Sequence, residues 1–258
     1  MLFTDQLHRH IELPYPPQRI ISLVPSQTEL LFDLGLTEKI VGITKFCIHP
    51  QEKVKNVPKV GGTKNFHFEK IDALAPDLII ANKEENYREG IEQLAQKYPV
   101  WISDIYTLED ALKMITSIGE VCTKKIEAQI MVSFIDSAFR LLAKTYSGRV
   151  AYLIWKNPYM VAGSHTFIHD ILQRLGFENA FAEKPRYPEV NLNEIAERKP
   201  DYIFLSSEPY PFKEKHLQEL QSIFSESRIQ LVNGEMFSWY GSRLLEASKY
   251  FRSFLKNS

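Results

Sequence analysis

The segment NGEMFSWYGSR at 233–243 holds the densest recognition chemistry in the chain. Trp239 and Tyr240 offer flat apolar faces, and Arg243 offers a planar cation suited to carboxylate, phosphate or carbonyl oxygens. Glu235 is an acid that could hold Arg243 as a structural ion pair, a role compatible with ligand reading. Two more segments carry aromatics: TKFCIHP at 44–50, with Phe46, and WKNPYMVAGSH at 155–165, with Trp155, Tyr159 and His165. Walls of this kind grip a flat or bulky apolar ligand, although any one aromatic serves equally well in packing. His165 and His169 stand at i and i+4, a spacing that can chelate a metal. No metalloprotease Glu adjoins them, so a helix cap plus a packed histidine is the better reading, and no protein-held metal site is expected. His165 keeps the capacity to ligate the metal of a bound chelate. In PSQTE at 25–29, Ser26 or Gln27 is expected to cap a helix and leave its first amides turned toward ligand. Cys47 and Cys122 share no CxxC spacing and read as two free thiols.

Catalytic signatures are missing. The chain has no GxSxG, no P-loop and no GxGxxG, and no nucleophile or acid–base constellation, so an enzyme is not expected. A net charge of −1 argues against a nucleic-acid partner, which requires a basic surface. Hydrophobic residues make up 44% and charged residues 24%, ordinary for a globular chain, while 12% aromatics is somewhat rich. No run reaches the roughly 18 apolar residues of a membrane span.

These loops need elements to hold them. A unit occurs twice: KIDALAPDLIIA at 70–81 and EIAERKPDYIFL at 194–205 each run from a short amphipathic helix through Pro-Asp into a buried strand. LLFDLGL and ILQRLGF likewise each close a helix on Leu-Gly. RIISLV, KIVGIT, VWIS, RVAYLIW and IQLVN read as further strands, QLHRHIEL as an edge strand or hairpin, and 45–66 as a long loop. Strands alternating with helices predict parallel sheets in two α/β lobes of Rossmann type, with ligand beyond the strands' carboxyl ends. Residues 107–145 contain no Pro and predict one long helix, or two joined near Gly119–Thr123. Ile126, Ile130, Phe134, Ala138, Leu141 and Leu142 mark its expected buried stripe, and SRLLEASKYFRSFL at 242–255 a closing helix. The expected organisation is an N-terminal lobe at 1–121, a connecting helix at 122–146 and a C-terminal lobe at 147–258, with the ligand cleft between the lobes.

Taken in order, RIISLVPSQTELLFDLGL, KIVGIT, FEKIDALAPDLIIA, AGSHTFIHDILQRLGFENAF, RYPEVNLNEIAERKPDYIFL and FSWYGSRLLEAS resemble the substrate-binding proteins of bacterial importers for iron-siderophores, haem and cobalamin. The likeness spans about residues 5 to 255 and is nearest to the cobalamin-binding branch. It implies two Rossmann-like lobes on a single long backbone helix, capture of a metal chelate without an intrinsic cofactor, and delivery to a membrane permease powered by an ATPase. Carried over, the pocket includes Pro25, Ser26, Phe46, Trp155 or Tyr159, Tyr187, Trp239 and Arg243, with Glu235 as the acid before the final Arg. Thr63 and Asn82 stand where that branch has tryptophans. The likeness also implies docking on permease arginines by one Glu per lobe. Glu69 lies seven residues before Pro76; Asn193 holds the matching place before Pro200, and Glu194 lies one step on. A monomer working outside the inner membrane is implied. MLFTDQLHRHIELPYPP has no apolar core of about 7–15 residues, so the alternative is a cytoplasmic protein that stores, senses or hands on a corrinoid or similar chelate.

Overall fold

β-Branched runs fill the central strands because both faces of a helix-covered parallel sheet are dry. A computed structural model describes residues 1–254; Leu255, the last residue of the expected closing helix, lies outside the described residues. The chain divides into two compact units. The first comprises 1–104, 109–134 and 240–243, and the second 105–108, 135–239 and the residues from 244 on.

In the first unit, β1 (Leu2–Thr4) and β2 (His10–Glu12) form an antiparallel hairpin. Then come β3 (Ile20–Ser22), α1 (Pro25–Asp33), β4 (Ile40–Ile43), α2 (Gln51–Val54), α3 (Phe68–Ala73), β5 (Leu78–Asn82), α4 (Arg88–Ala95) and β6 (Val100–Ser103). The four strands β4-β3-β5-β6 are all parallel. Ile21, Leu23, Ile79, Ala81, Val100 and Ile102 pack there with Ile71, Ile91 and Leu94 from the helices. The expected loop at 45–66 contains the helical turn α2.

The helical stretch is two helices. α5 (Leu108–Val121) stops and α6 (Lys125–Leu142) restarts after a break at Thr123, whose φ is 59°. A Cβ on Gly119 would meet the Ala128 Cβ at 2.3 Å, so the glycine lets the start of α6 press against the end of α5. The stripe expected to be buried on α6 is the wrong face for four of its six residues. Ile126, Ile130, Phe134 and Leu141 are exposed, while Ala128, Ile135, Phe139 and Leu142 are buried. This helix is apolar on two sides, and periodicity alone selects the one with the larger side chains.

The second unit contains β7 (Arg149–Trp155), β8 (Tyr159–Val161), α7 (Phe167–Leu175), β9 (Glu178–Asn179), β10 (Glu189–Val190), α8 (Leu192–Glu197), β11 (Tyr202–Ser206), α9 (Glu214–Gln221), β12 (Arg228–Val232), α10 (Gly234–Ser238) and α11 (Leu244–Ser253). Its sheet runs β10-β8-β7-β11-β12, with β9 also on β7. The strands β7, β11 and β12 are parallel, whereas β8 and β10 return antiparallel.

The repeated sequence has one structural cause in both units. Ala75 and Lys199, each just before the Pro, take left-handed φ values of 41° and 46° and end their helices. The Asp then ties the turn to the unit's first parallel strand. Asp77 accepts from the Gln18 and Arg19 amides at 2.7 and 2.8 Å, and Asp201 from the Arg149 amide at 2.6 Å. Arg19 reaches back to the carbonyls of Leu74 and Ala75, and Arg149 to that of Arg198. The Leu-Gly pairs are left-handed helix stops, with φ of 78° at Gly35 and 101° at Gly176.

Candidate functional site

In the first unit, α1 starts where β3 ends. Pro25 is its first residue, which suits a position with no amide to satisfy. Val24 is the capping residue and makes no side-chain cap; Ser26 and Gln27 lie inside the helix and are buried, which corrects the expectation that one of them caps it. Proline pre-sets the helical φ and moves the boundary one residue earlier than the polar signal suggests.

Arg243 packs on this helix. Its guanidinium grips the Glu29 carboxylate from two nitrogens, with Nε–Oε2 at 2.9 Å, and both side chains are largely buried. Burial pushes the Glu29 carboxyl up from its ordinary range, against the opposing pull of Arg243. The carboxylate found on the Arg243 fork is thus Glu29, a residue the sequence reading passed over. Gly241 permits the approach: its φ is 149°, and an added Cβ would sit 2.9 Å from the Ser26 carbonyl oxygen.

Phe46 is 50% exposed, with the Lys45 ammonium 5.0 Å from its ring centre and Gly62 against its edge. Asn82 is buried and structural: its amide donates to the Ser103 carbonyl and hydroxyl, and its oxygen accepts from the Glu84 and Glu85 amides. The Thr63 carbonyl accepts from Asn86. At these two positions the chain therefore presents a hydrogen-bonded loop. Cys47 is a buried free thiol between the Thr28 and Thr44 hydroxyls, and burial raises its pKa; burial raises that of Cys122 to about 12. Neither thiol is poised as a nucleophile.

In the second unit Trp155 ends β7, 38% exposed, with its ring edge-on to Tyr210 at 5.7 Å. Tyr159 opens β8 and is half-buried against the core. Trp239 is buried, and its indole N–H donates to Glu208 at 2.9 Å, as does the Ser238 hydroxyl at 2.8 Å. Tyr240, in the first unit, is buried too. Glu235 lies in the first turn of α10, which Asn233 caps. His165 is exposed with φ of 55°. His169 instead packs inward, with Nδ1 3.1 Å from the Asn179 amide, and burial lowers its pKa. Thr166 caps α7 by accepting from the His169 amide. Among the described residues no group of three or more His, Cys, Asp and Glu is gathered to hold a metal ion.

The sequence reading missed a cluster around Tyr187. The Arg186 guanidinium carbon lies 5.8 Å from the Tyr187 ring centre and 5.5 Å from that of Tyr106. Its NH1 donates to the His165 carbonyl at 3.2 Å. The signal available was the Arg-Tyr-Pro triplet itself; Tyr106, far away in sequence, gave none.

The two candidate docking acids differ. Glu69 is exposed on the second residue of α3. Glu194 is the third residue of α8 and closes a capping box with Asn191, each side chain accepting from the other's amide at 3.0 Å. It also pairs with Lys184 at 2.6 Å.

The first unit thus carries the exposed Phe46 ring and the buried Arg243–Glu29 pair, and the second the exposed Trp155 ring and the aromatic cluster at Tyr187. The family model described as "periplasmic binding protein" matches residues 20–227. A vitamin B12-binding protein of Pectobacterium carotovorum is 27% identical over 90% of this chain and 86% of its own length. An uncharacterized ABC transporter substrate-binding lipoprotein of Bacillus subtilis is 29% identical over 77% of this chain and 67% of its own. Among solved structures, the apo periplasmic heme-binding protein from Roseiflexus sp. RS-1 has a TM-score of 0.80 at 21% identity, covering 93% of this chain and 98% of that one. The chain belongs to the periplasmic binding protein family, a family of substrate-binding proteins and not of enzymes.

Proposed function

We propose that this family member captures a large metal chelate of the cobalamin, haem or iron-siderophore class outside the inner membrane and delivers it to an ATP-driven importer. The observation that carries the reading is likeness to a vitamin B12-binding protein across 90% of the chain, joined to the likeness to a transporter's substrate-binding lipoprotein. The exposed rings give it physical sense. Trp155 at 38% and Phe46 at 50% exposure each leave an aromatic face that a flat or bulky ligand can cover. The metal is part of the cargo, and the protein acts as a monomer. Glu69 offers an unengaged carboxylate for a permease arginine, whereas Glu194 must first leave its capping box.

Binding is measured by thermal shift and calorimetry with cyanocobalamin, haem and a ferric catecholate. One class is expected to stabilise the protein, by about 2.7 kcal/mol at 100 times its dissociation constant. Trp155→Ala is expected to weaken that binding at least tenfold while leaving the free protein's Tm nearly unchanged, because the ring is an exposed one. If none of the three chelates stabilises the wild type, the chelate reading is wrong.

A further inference from the structure

We propose that His216 is a positioning residue for the ligand wall at Trp155, that it acts through Tyr210, and that it makes binding weaken on acidification. This inference rests on the binding function proposed above. Trp155 stands exposed at the end of β7, and Tyr210 meets its ring edge-on at 5.7 Å. Tyr210 belongs to the segment between β11 and α9. That segment is fastened to the strand ends, since the Tyr210 amide donates to the Ile154 carbonyl and the Phe212 amide to that of Ser206, each at 3.3 Å. The Tyr210 ring is then held by Phe212, 4.8 Å away, and by His216, 5.5 Å away between ring centres. The His216 Nε2 also lies 3.3 Å from the Tyr210 hydroxyl.

His216 is buried and is the third residue of α9. The Lys213 amide donates to its Nδ1 at 3.0 Å, so the ring closes the helix start as a capping-box Glu or Gln would. Nδ1 therefore carries no proton, and the single N–H of the neutral ring is on Nε2, facing the Tyr210 hydroxyl. A second proton has to go on Nδ1, which sets N–H against N–H beside the positive end of a helix. The charges around the ring add to that cost. Lys213 precedes α9, Lys215 lies on it and Lys156 follows β7; Glu219 of α9 pulls the other way but is paired with Lys156. Tyr159, on β8, adjoins that pair and Tyr210. Burial, and then the Lys156 ammonium, holds the imidazole below its ordinary pKa. Such a histidine supports the folded arrangement above its unfolded pKa of about 6.5, and the support is lost as pH falls through the folded value. Once protonated, His216 gives up the Lys213 amide, the first turn of α9 loosens, and Tyr210 loses a ring that holds it against Trp155.

The probe is whichever of cyanocobalamin, haem and the ferric catecholate binds wild type most tightly. Calorimetric titrations at pH 7.5 compare wild type, Trp155→Ala, Tyr210→Ala and the double variant. Tyr210→Ala is expected to weaken binding about fivefold or more, and the double variant to bind no more weakly than Trp155→Ala, because both changes remove the same contact. Full affinity in Tyr210→Ala, or losses that add in the double variant, overturns the role of Tyr210. A second set compares wild type, His216→Gln and Trp155→Ala at pH 7.5 and 5.0. Gln keeps an acceptor for the Lys213 amide and does not titrate. Between the two pH values wild type should lose at least about threefold more affinity than His216→Gln, since the probe's own titration is common to both proteins. Trp155→Ala should show the same reduced response as His216→Gln. Equal responses in wild type and His216→Gln overturn the assignment. A full response that persists in Trp155→Ala also overturns it, because it shows that His216 supports the fold and not the ring. Wild-type protein that binds none of the three probes refutes the chelate reading and this proposal together. Wild-type binding with indifferent variants refutes this proposal alone.

Discussion

In the first unit Glu69 stands on the second residue of α3 with its carboxylate exposed. The corresponding place on α8 in the second unit is Asn193, and the next acid, Glu194, is turned back onto its own helix start. Yet both helices end alike, in a left-handed residue before Pro and an Asp clasped to amides at the start of a parallel strand. The repeat is therefore conserved between the units where it closes the turn and has diverged where it faces outward. His67 makes no side-chain cap on α3, so nothing draws Glu69 inward, whereas Asn191 begins a box that occupies Glu194.

The comparison is tested most severely at the two Leu-Gly stops. Both glycines are left-handed, but a Cβ on Gly176 would lie 2.2 Å from the Tyr146 carbonyl oxygen, while one on Gly35 meets nothing nearer than the Lys124 ammonium at 3.7 Å. Gly35→Ala should cost about 1–2 kcal/mol, the left-handed penalty alone. Gly176→Ala should cost clearly more, read as a lower urea midpoint. Equal midpoints would show that the two stops are interchangeable.

A middle-sized effect is expected at the clasps. Asp77 holds two amides just ahead of β3 and Asp201 the first amide of β7. Asp77→Ala should destabilise by about 1–3 kcal/mol, the net worth of two hydrogen bonds to a charged acceptor. Asp201→Ala, which releases one amide instead of two, should fall below it. The reverse order in chemical denaturation would mean that the second turn depends more on its clasp.

The smallest effect separates the acids. Glu194→Gln should lower Tm slightly at pH 7, and Glu69→Gln should not. The Lys184 ammonium, and then the Asn191 amide, hold the Glu194 carboxyl below its usual range. A depressed acid stabilises the fold above its unfolded pKa and loses that contribution as pH falls through the folded one. The difference between wild type and Glu194→Gln should therefore fade on acidification below about pH 4.3, the ordinary glutamate value. In uptake assays the order should invert, with Glu69→Ala the more damaging change. Full uptake with Glu69→Ala would remove the first unit's acid from docking.

The strands, the Pro-Asp turns and the Leu-Gly stops could be read along the chain because each is a local event. Buried parallel strands need unbroken apolar runs, and left-handed stops need Gly or a residue braced by the next Pro. The site was less legible. Phe46 and Trp155 are exposed aromatics, but Trp239 and Tyr240, which look equivalent in sequence, are buried. Arg243 was visible as a recognition residue, yet its partner Glu29 is more than two hundred positions away.

By itself, then, the sequence determined the alternating α/β elements, the twofold repeat and the loops that carry aromatic and charged groups, since these follow from periodicity and turn chemistry within a few residues. Tertiary structure alone decided which face of α6 is buried, that Glu29 closes on Arg243, and that Tyr106 meets Arg186. The physical reason is range: a helix that is apolar on two sides, or a cation with several possible acids, has its partner chosen by segments packed from elsewhere in the chain, and no local pattern encodes that choice.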